Sequence, residues 1–253
     1  MTLAVLATAM YAFARVAGLL TMIPVFSARG VPRHVPVLGA LIVVILVSPG
    51  VPVVDPPTTL GALLLAIASE AGLGLLMGGS VRIVFGAIAM ASEIMSMQIG
   101  LGGFQLLNPL METQEGPIGT LSTWLAGLVF LGAGLHLRCL EILGASFQVL
   151  TPGDPGSVLH AAPRLAELLS EAFSLGFQLA APTLTLAWLI NVFIALLSKL
   201  APRMNVFFSI GISVGSPAGM AIVGLALPWI LFVHRARVAD VVQSLVGLLE
   251  MVG

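Results

Sequence analysis

Apolar residues fill this chain in blocks about as long as a bilayer is thick, and the polar residues fall between the blocks. An apolar helix needs about 20 residues to cross the hydrocarbon core. Leu3 to Ile23 meets that length with Arg15 as its only charge. Pro24 and Gly30-Val31-Pro32 then predict a turn whose polar residues are Arg29, Arg33 and His34. Val35 to Val54 has no charge and is the second predicted helix. Pro49, Pro52, Asp55, Pro56 and Pro57 end it, because proline lacks an N–H and resists helix continuation.

A third helix is predicted from an N-cap at Thr58 or Thr59 to about Ile99. It is too long for one simple span, and it carries Glu70, Arg82 and Glu93 among Gly72, Gly74, Gly78, Gly79 and Gly86. Glycines at such spacing let helix backbones approach closely. They also weaken a helix locally, so a bend or break is expected near Gly78-Gly79. A fourth helical stretch is predicted from Ile118 to about Leu150, with His136, Arg138 and Glu141 in it. Thr151-Pro152-Gly153-Asp154-Pro155-Gly156 is the strongest breaker in the chain. Pro163 suits the first turn of the next helix, which runs to about Leu200 with a kink expected at Pro182. Lys199, Pro202 and Arg203 mark a polar turn, and Val206 to Glu250 is a last stretch interrupted by Gly215-Ser216-Pro217 and by Pro228. Its tail from His234, with Arg235, Arg237 and Asp240, reads as amphipathic.

Composition makes the membrane reading firm. Of 253 residues, 58% are hydrophobic and only 8% charged, and the mean hydropathy is +1.12. A soluble domain carries about 25% charged residues. So few charges cannot cover a water-facing surface, so lipid or other apolar subunits must cover much of it. The net charge of −1 leaves no electrostatic footprint for nucleic acid. Cys139 is the single cysteine, which excludes an intrachain disulfide and a cysteine zinc cluster. The first twenty residues lack a basic n-region, so they are expected to be a retained helix and not a cleaved signal peptide. Arg29 and Arg33 claim the cytoplasmic side for the first loop, and Lys199 and Arg203 claim it for theirs, which fixes no orientation.

No enzyme signature emerges: the chain has no HExxH, GxSxG or P-loop pattern. Asp55, Asp154 and Asp240 fall at segment ends or in loops, which excludes a pair of intramembrane aspartates on adjacent apolar helices. His136 and Cys139 lie three apart on one helix face, but two ligands do not define a metal site, and packing is the expected role. Ionisable groups inside apolar helices are expensive and mark functional candidates. Glu70, Arg82 and Glu93 lie on different levels of one helix, so each seeks a partner elsewhere, in this chain or in another; structural pairing is the expected role, and direct contact with transported material is the alternative. Met90, Met95, Met97 and Met111 cluster around the polar interruption "MSMQIGLGGFQLLNPLMETQEGPIGT", Met95 to Thr120. They are either ordinary core or a deformable seal.

Four stretches together resemble the FliR/SctT family of type III secretion export-gate proteins. They are "ARVAGLLTMIPVFSARGVP" with Arg15, Pro24, Phe26 and Pro32; "SEIMSMQIGLGGFQLLNP" with Glu93, Gln98 and Pro109; "FLGAGLHLRCLEILGASFQVLTPG" with His136, Ser146, Phe147 and Pro152; and "APRMNVFFSIGISVG" with Pro202, Met204, Asn205, Phe207 and Gly211. They occur in family order and cover nearly the whole chain. Asn108 stands where the family commonly has Asp, and Arg203 where it commonly has Gln, so no charge-based role carries over to position 108.

The resemblance implies an all-α, membrane-associated fold of helical hairpins with broken and kinked helices. It implies one export-gate domain over residues 1–253, with about 1–155 like FliP and about 156–253 continuing into a FliQ-like hairpin. It implies FliP-like and FliQ-like partners, FlhB-like and FlhA-like export proteins nearby, unfolded protein substrates, no cofactor, no metal and no catalysis. The location implied is the bacterial inner membrane at the flagellar basal body. It further implies that the loop after "GLG" plugs the channel, and here that loop holds Gly100, Leu101, Gly102, Gly103, Phe104, Leu106, Leu107, Asn108, Pro109, Leu110, Met111 and Glu112. Arg15, Glu70, Arg82 and Glu93 are the candidate buried charges for assembly. A virulence secretion gate, and more distantly a small-solute secondary transporter with broken helices, are the competing readings.

Overall fold

The computed structural model describes residues 2–27, 31–32, 34–98, 116–154, 156–200 and 212–252. Among them the regular structure is all helical: α1 (Thr2–Met22), α2 (His34–Val47), α3 (Leu60–Gln98), α4 (Pro117–Gly132), α5 (Leu135–Val149), α6 (Gly156–Leu200) and α7 (Ile212–Val252). A short 3-10 turn, Ser48–Gly50, follows α2. Among the described residues four helical runs are long and apolar enough to cross a membrane, Leu3–Met22, Leu60–Gln98, Ala166–Leu200 and Pro217–Leu245, or five if the bent pair Pro117–Gly132 and Leu135–Val149 is one span.

Several boundaries differ from the sequence expectation, each for a physical reason. The second helix stops at Val47 and not at Val54, because Pro49 and Pro52 remove the N–H groups that further turns need. Its 14 residues rise about 21 Å, short of a bilayer core. No break occurs at Gly78-Gly79, where α3 continues for 39 residues. The stretch 118–150 is two helices, bent by 62° between Gly132 and Leu135. Gly134 makes the corner with φ of 71°, left-handed backbone that a Cβ disfavours. Gly134→Val should therefore destabilise the chain by at least about 1–2 kcal/mol, read as a lower melting temperature. A full-strength melt in that variant would show that the bend does not depend on this corner.

Proline is also tolerated more widely than expected. Pro163 lies inside α6, which already begins at Gly156, and Pro217 and Pro228 lie inside an uninterrupted α7. Pro217 and Pro228 fall in the apolar run Pro217–Leu245, where proline is tolerated because neighbouring groups and local adjustments re-satisfy the freed carbonyls. The N-cap forecast holds: Thr59 Oγ1 accepts from the Ala62 N–H at 3.3 Å. The tail is amphipathic as expected, with Val238, Val241, Val242 and Leu245 buried and Arg237 and Asp240 exposed.

The chain forms two compact units: residues 1–84, 130–170 and 236–253, and residues 85–129 and 171–235. In the first, α1 and α3 meet backbone to backbone. A Cβ on Gly74 would lie 2.0 Å from the Arg15 carbonyl oxygen, and one on Gly78 2.5 Å from that of Leu19. Gly18 returns the contact from α1, where a Cβ would sit 2.7 Å from the Ala71 oxygen. Tyr11, Val16, Leu19, Leu73, Val81, Leu143 and Phe147 fill the surrounding core. The segment after α2 is tied down where the Val54 N–H donates to Thr8 Oγ1 at 3.1 Å and Gln148 donates to the Gly50 carbonyl. In the second unit, Gly176 lets α6 approach α3, since a Cβ there would meet Met90 Cε at 2.3 Å. Ile88, Met95, Ala126, Leu179 and Ile230 are buried there. The long helices carry large exposed side chains, such as Leu65, Trp188, Phe193, Leu225 and Phe232, and so does α2 at Leu46. Lipid or other subunits are the surfaces that fit them.

Candidate functional site: a saturated charge cluster

The first unit buries one arginine and one glutamate completely, Arg15 of α1 and Glu70 of α3, both 0% exposed. They stand on facing sides of the glycine seam, so the close backbone approach brings a long guanidinium and a carboxylate to one level. The pair is bidentate: Arg15 Nε donates to Glu70 Oε2 at 2.5 Å and Nη2 donates to Oε1 at 2.9 Å. Arg15 Nη1 donates to Ser146 Oγ at 3.0 Å, and Nη2 also reaches the Leu150 carbonyl at 3.4 Å. The guanidinium carbon lies 4.3 Å from the centre of the Phe147 ring, a cation–π contact.

The cluster also holds the turn that the sequence marks most strongly. The Gly153 N–H donates to Glu70 Oε1 at 2.7 Å, and Asp154 N–H donates to the Thr151 carbonyl at 3.3 Å. Gly153 has φ of 90°, and a Cβ there would lie 3.0 Å from Tyr11 Cε2. Two independent demands therefore select glycine at 153. Arg15 thus joins α1, α3, the end of α5 and the following turn. Every oxygen of Glu70 is used, and the guanidinium is shared between a carboxylate, a hydroxyl, a carbonyl and an aromatic face. A buried charge is tolerable only when paired and hydrogen-bonded in this way. The arrangement leaves no open coordination position for a substrate, so its chemistry is that of a clamp.

The other candidate charges stand apart from it. Arg82 is exposed, and it makes no hydrogen bond or ion pair with any described residue. Glu93 is half-buried and accepts from the Gly116 N–H at 3.5 Å, directly before α4. His136 tilts on Phe130 with ring centres 6.4 Å apart, and Cys139 on the same helix is buried. Among the described residues no three His, Cys, Asp or Glu side chains gather as metal ligands would. In the second unit His234 is buried edge-on to Phe85, with ring centres 4.8 Å apart. The loop candidates Gly100 to Glu112, and Pro202, Met204, Asn205 and Phe207, lie outside the described residues.

Sequence reasoning named Arg15, Glu70, Ser146 and Phe147 separately and did not pair them. It missed Tyr11, the Leu150 carbonyl and the role of Gly153. A buried arginine in an apolar run demands a carboxylate, and Glu70 is the nearest one in an apolar run, so that signal was present. The contacts from residues 146–153 had none.

Residues 6–241 match the family described as Bacterial export proteins, family 1. The chain belongs to that family. Within Bacterial export proteins, family 1, it is similar to the flagellar biosynthetic protein FliR of Caulobacter vibrioides, 28% identical over 91% of this chain and 92% of the relative. The Escherichia coli FliR is also 28% identical, over 85% of this chain and 82% of its own length. The Yop proteins translocation protein T of Yersinia pestis is 34% identical over 57% of this chain and 56% of its own. The family match spans both compact units, and it includes Arg15, Glu70, Ser146 and Gly153.

Proposed function

We propose that this chain is a core subunit of the flagellar protein export gate, seated in the bacterial inner membrane at the basal body. With FliP-like and FliQ-like subunits it forms the channel through which unfolded flagellar subunits are secreted, beside FlhB-like and FlhA-like export proteins. Residues 1–155 take the FliP-like part and 156–253 the FliQ-like part. Similarity to flagellar FliR along nine-tenths of the chain carries this reading. The chain's surface fits it: large bare apolar side chains suit lipid or neighbouring subunits, and its buried Arg15–Glu70 pair is spent on a clamp. The role is structural and not enzymatic.

The loop from Gly100 to Glu112 closes the resting channel in this reading. Its glycines supply hinges, Asn108-Pro109 sets a turn, and Leu106, Leu107, Leu110 and Met111 are the sealing side chains. In cells lacking their own FliR-type subunit, this chain should restore motility and purify with the FliP-like and FliQ-like subunits. Monodisperse chain that comes out alone would oppose the reading. Deleting Leu106 to Glu112 should leave assembly intact and make the resting membrane leak, measured as conductance. A deletion complex as tight as the parent would place the seal in the partner subunits. The similarity to Yop translocation protein T supports a second reading, a virulence gate. Rescue of effector secretion without rescue of motility would favour it.

A further inference from the structure

Helix α3 has two faces in the first unit, and the described residues of that unit cover only one. Gly74 and Gly78 on the covered face receive α1, with the Arg15–Glu70 pair at the same seam. The other face carries Leu65, Ala68, Gly72, Leu75, Gly79 and Arg82, all exposed or half-exposed. These positions lie three and four residues apart, the spacing at which side chains share one side of a helix. A second helix can pack its ridges along such a stripe.

Arg82 says what kind of helix completes the seam. It is a full charge on an apolar helix, exposed, and without a partner among the described residues. Glu70 cannot serve it, being saturated by Arg15 and Gly153. Glu93 lies 11 residues further along α3, about 16 Å of helical rise. Gly79 adds a geometric requirement: a Cβ there would meet nothing within 4 Å, so the space above it is open. The chain itself displays the solution on the covered face, where α1 presents a glycine, Gly18, three residues from a charge, Arg15, to an α3 surface of glycines and one opposite charge. On the open face α3 presents Gly79 three residues from Arg82.

We infer that the Leu65–Arg82 face of α3 seats one apolar helix of an unlike subunit, which bears a small residue opposite Gly79 and a carboxylate within reach of Arg82. That the partner is an unlike subunit rests on the export-gate reading; the small residue and the carboxylate rest on α3. The carboxylate neutralises the guanidinium in an apolar surrounding, where an unpaired cation is expensive. The small residue permits the same close backbone approach that α1 makes.

The test uses the full chain in cells making the whole export apparatus. A photoreactive benzoylphenylalanine replaces Leu75, and the complex is purified after irradiation. One protein adduct with an unlike subunit is expected, mapping to an apolar helix with an Asp or Glu within two turns of the crosslinked residue. Arg82→Glu, normalised to co-purified partner, should cut the adduct about tenfold through like-charge repulsion, and reversing the partner's carboxylate to Arg should restore it. Gly79→Leu, which this chain accommodates in open space, should abolish it. An adduct with lipid alone, or with a second copy of this chain, would overturn the inference. So would an intact co-purified complex with no adduct, or an adduct indifferent to Arg82→Glu. If the parent chain fails to co-purify with unlike subunits, the export-gate reading fails first, and the unlike partner fails with it.

Discussion

Glu70→Ala should remove about 3–5 kcal/mol of stability, the usual result of leaving one member of a buried ion pair uncompensated. A loss of that size is a large share of a net stability of about 5–15 kcal/mol. Arg15 would be left fully buried with Ser146 Oγ, the Leu150 carbonyl and Phe147, none of which carries a negative charge. The Gly153 N–H would lose its acceptor at the same time, freeing the turn before α6. The expected observation is a steep fall in the yield and melting temperature of the assembled complex. Arg15→Lys should fail nearly as badly, because an ammonium cannot make the bidentate pair and the separate contacts to Ser146 and Leu150 together. Replacing both charges by apolar residues should hurt less than either single change, since no unpaired charge then remains. Equal damage from the double and single variants would show that shape, not charge compensation, dominates the cluster.

The second large effect is expected at Gly74. A methyl there would lie 2.0 Å from the Arg15 carbonyl oxygen and 2.9 Å from its carbonyl carbon. Both are backbone atoms, so no side chain can rotate away, and α1 and α3 must separate. Overpacking costs about 1–3 kcal/mol where side chains can give way. Here the separation also stretches the Arg15–Glu70 bonds, so Gly74→Ala should reach or exceed the upper figure. Gly144→Ala is the matched control, because a Cβ there meets nothing within 4 Å and a helical alanine is favoured by about 0.5–1 kcal/mol. Melting temperatures of the two variants should move in opposite directions. A Gly74→Ala complex as stable as the parent would mean that the α1–α3 contact is looser than it stands here.

The sequence by itself determined that this is a helical membrane protein. Blocks of apolar residues with 8% charge have no other stable solution, and proline-rich or glycine-rich stretches can only fall between blocks. Its motifs determined the family. The Thr59 cap and the break after Leu150 were legible because both are local: a side chain bonds a backbone three residues on, and proline fixes its own φ while glycine admits the turn conformations other residues avoid. What each glycine does was not legible. Gly74 is a contact, Gly79 is open and Gly134 is a corner, and the same residue type serves all three because neighbours decide which. The fate of Pro163, Pro217 and Pro228 was likewise undecided, since a helix passes through proline only where neighbouring groups re-satisfy the freed carbonyls. The Arg15–Glu70 clamp spans 55 residues, and its contact to Ser146 spans 131. Pairings at such separation follow from which helices pack together. Only the tertiary structure decided that, because the free energy of a buried charge depends on the groups the folded backbone sets around it.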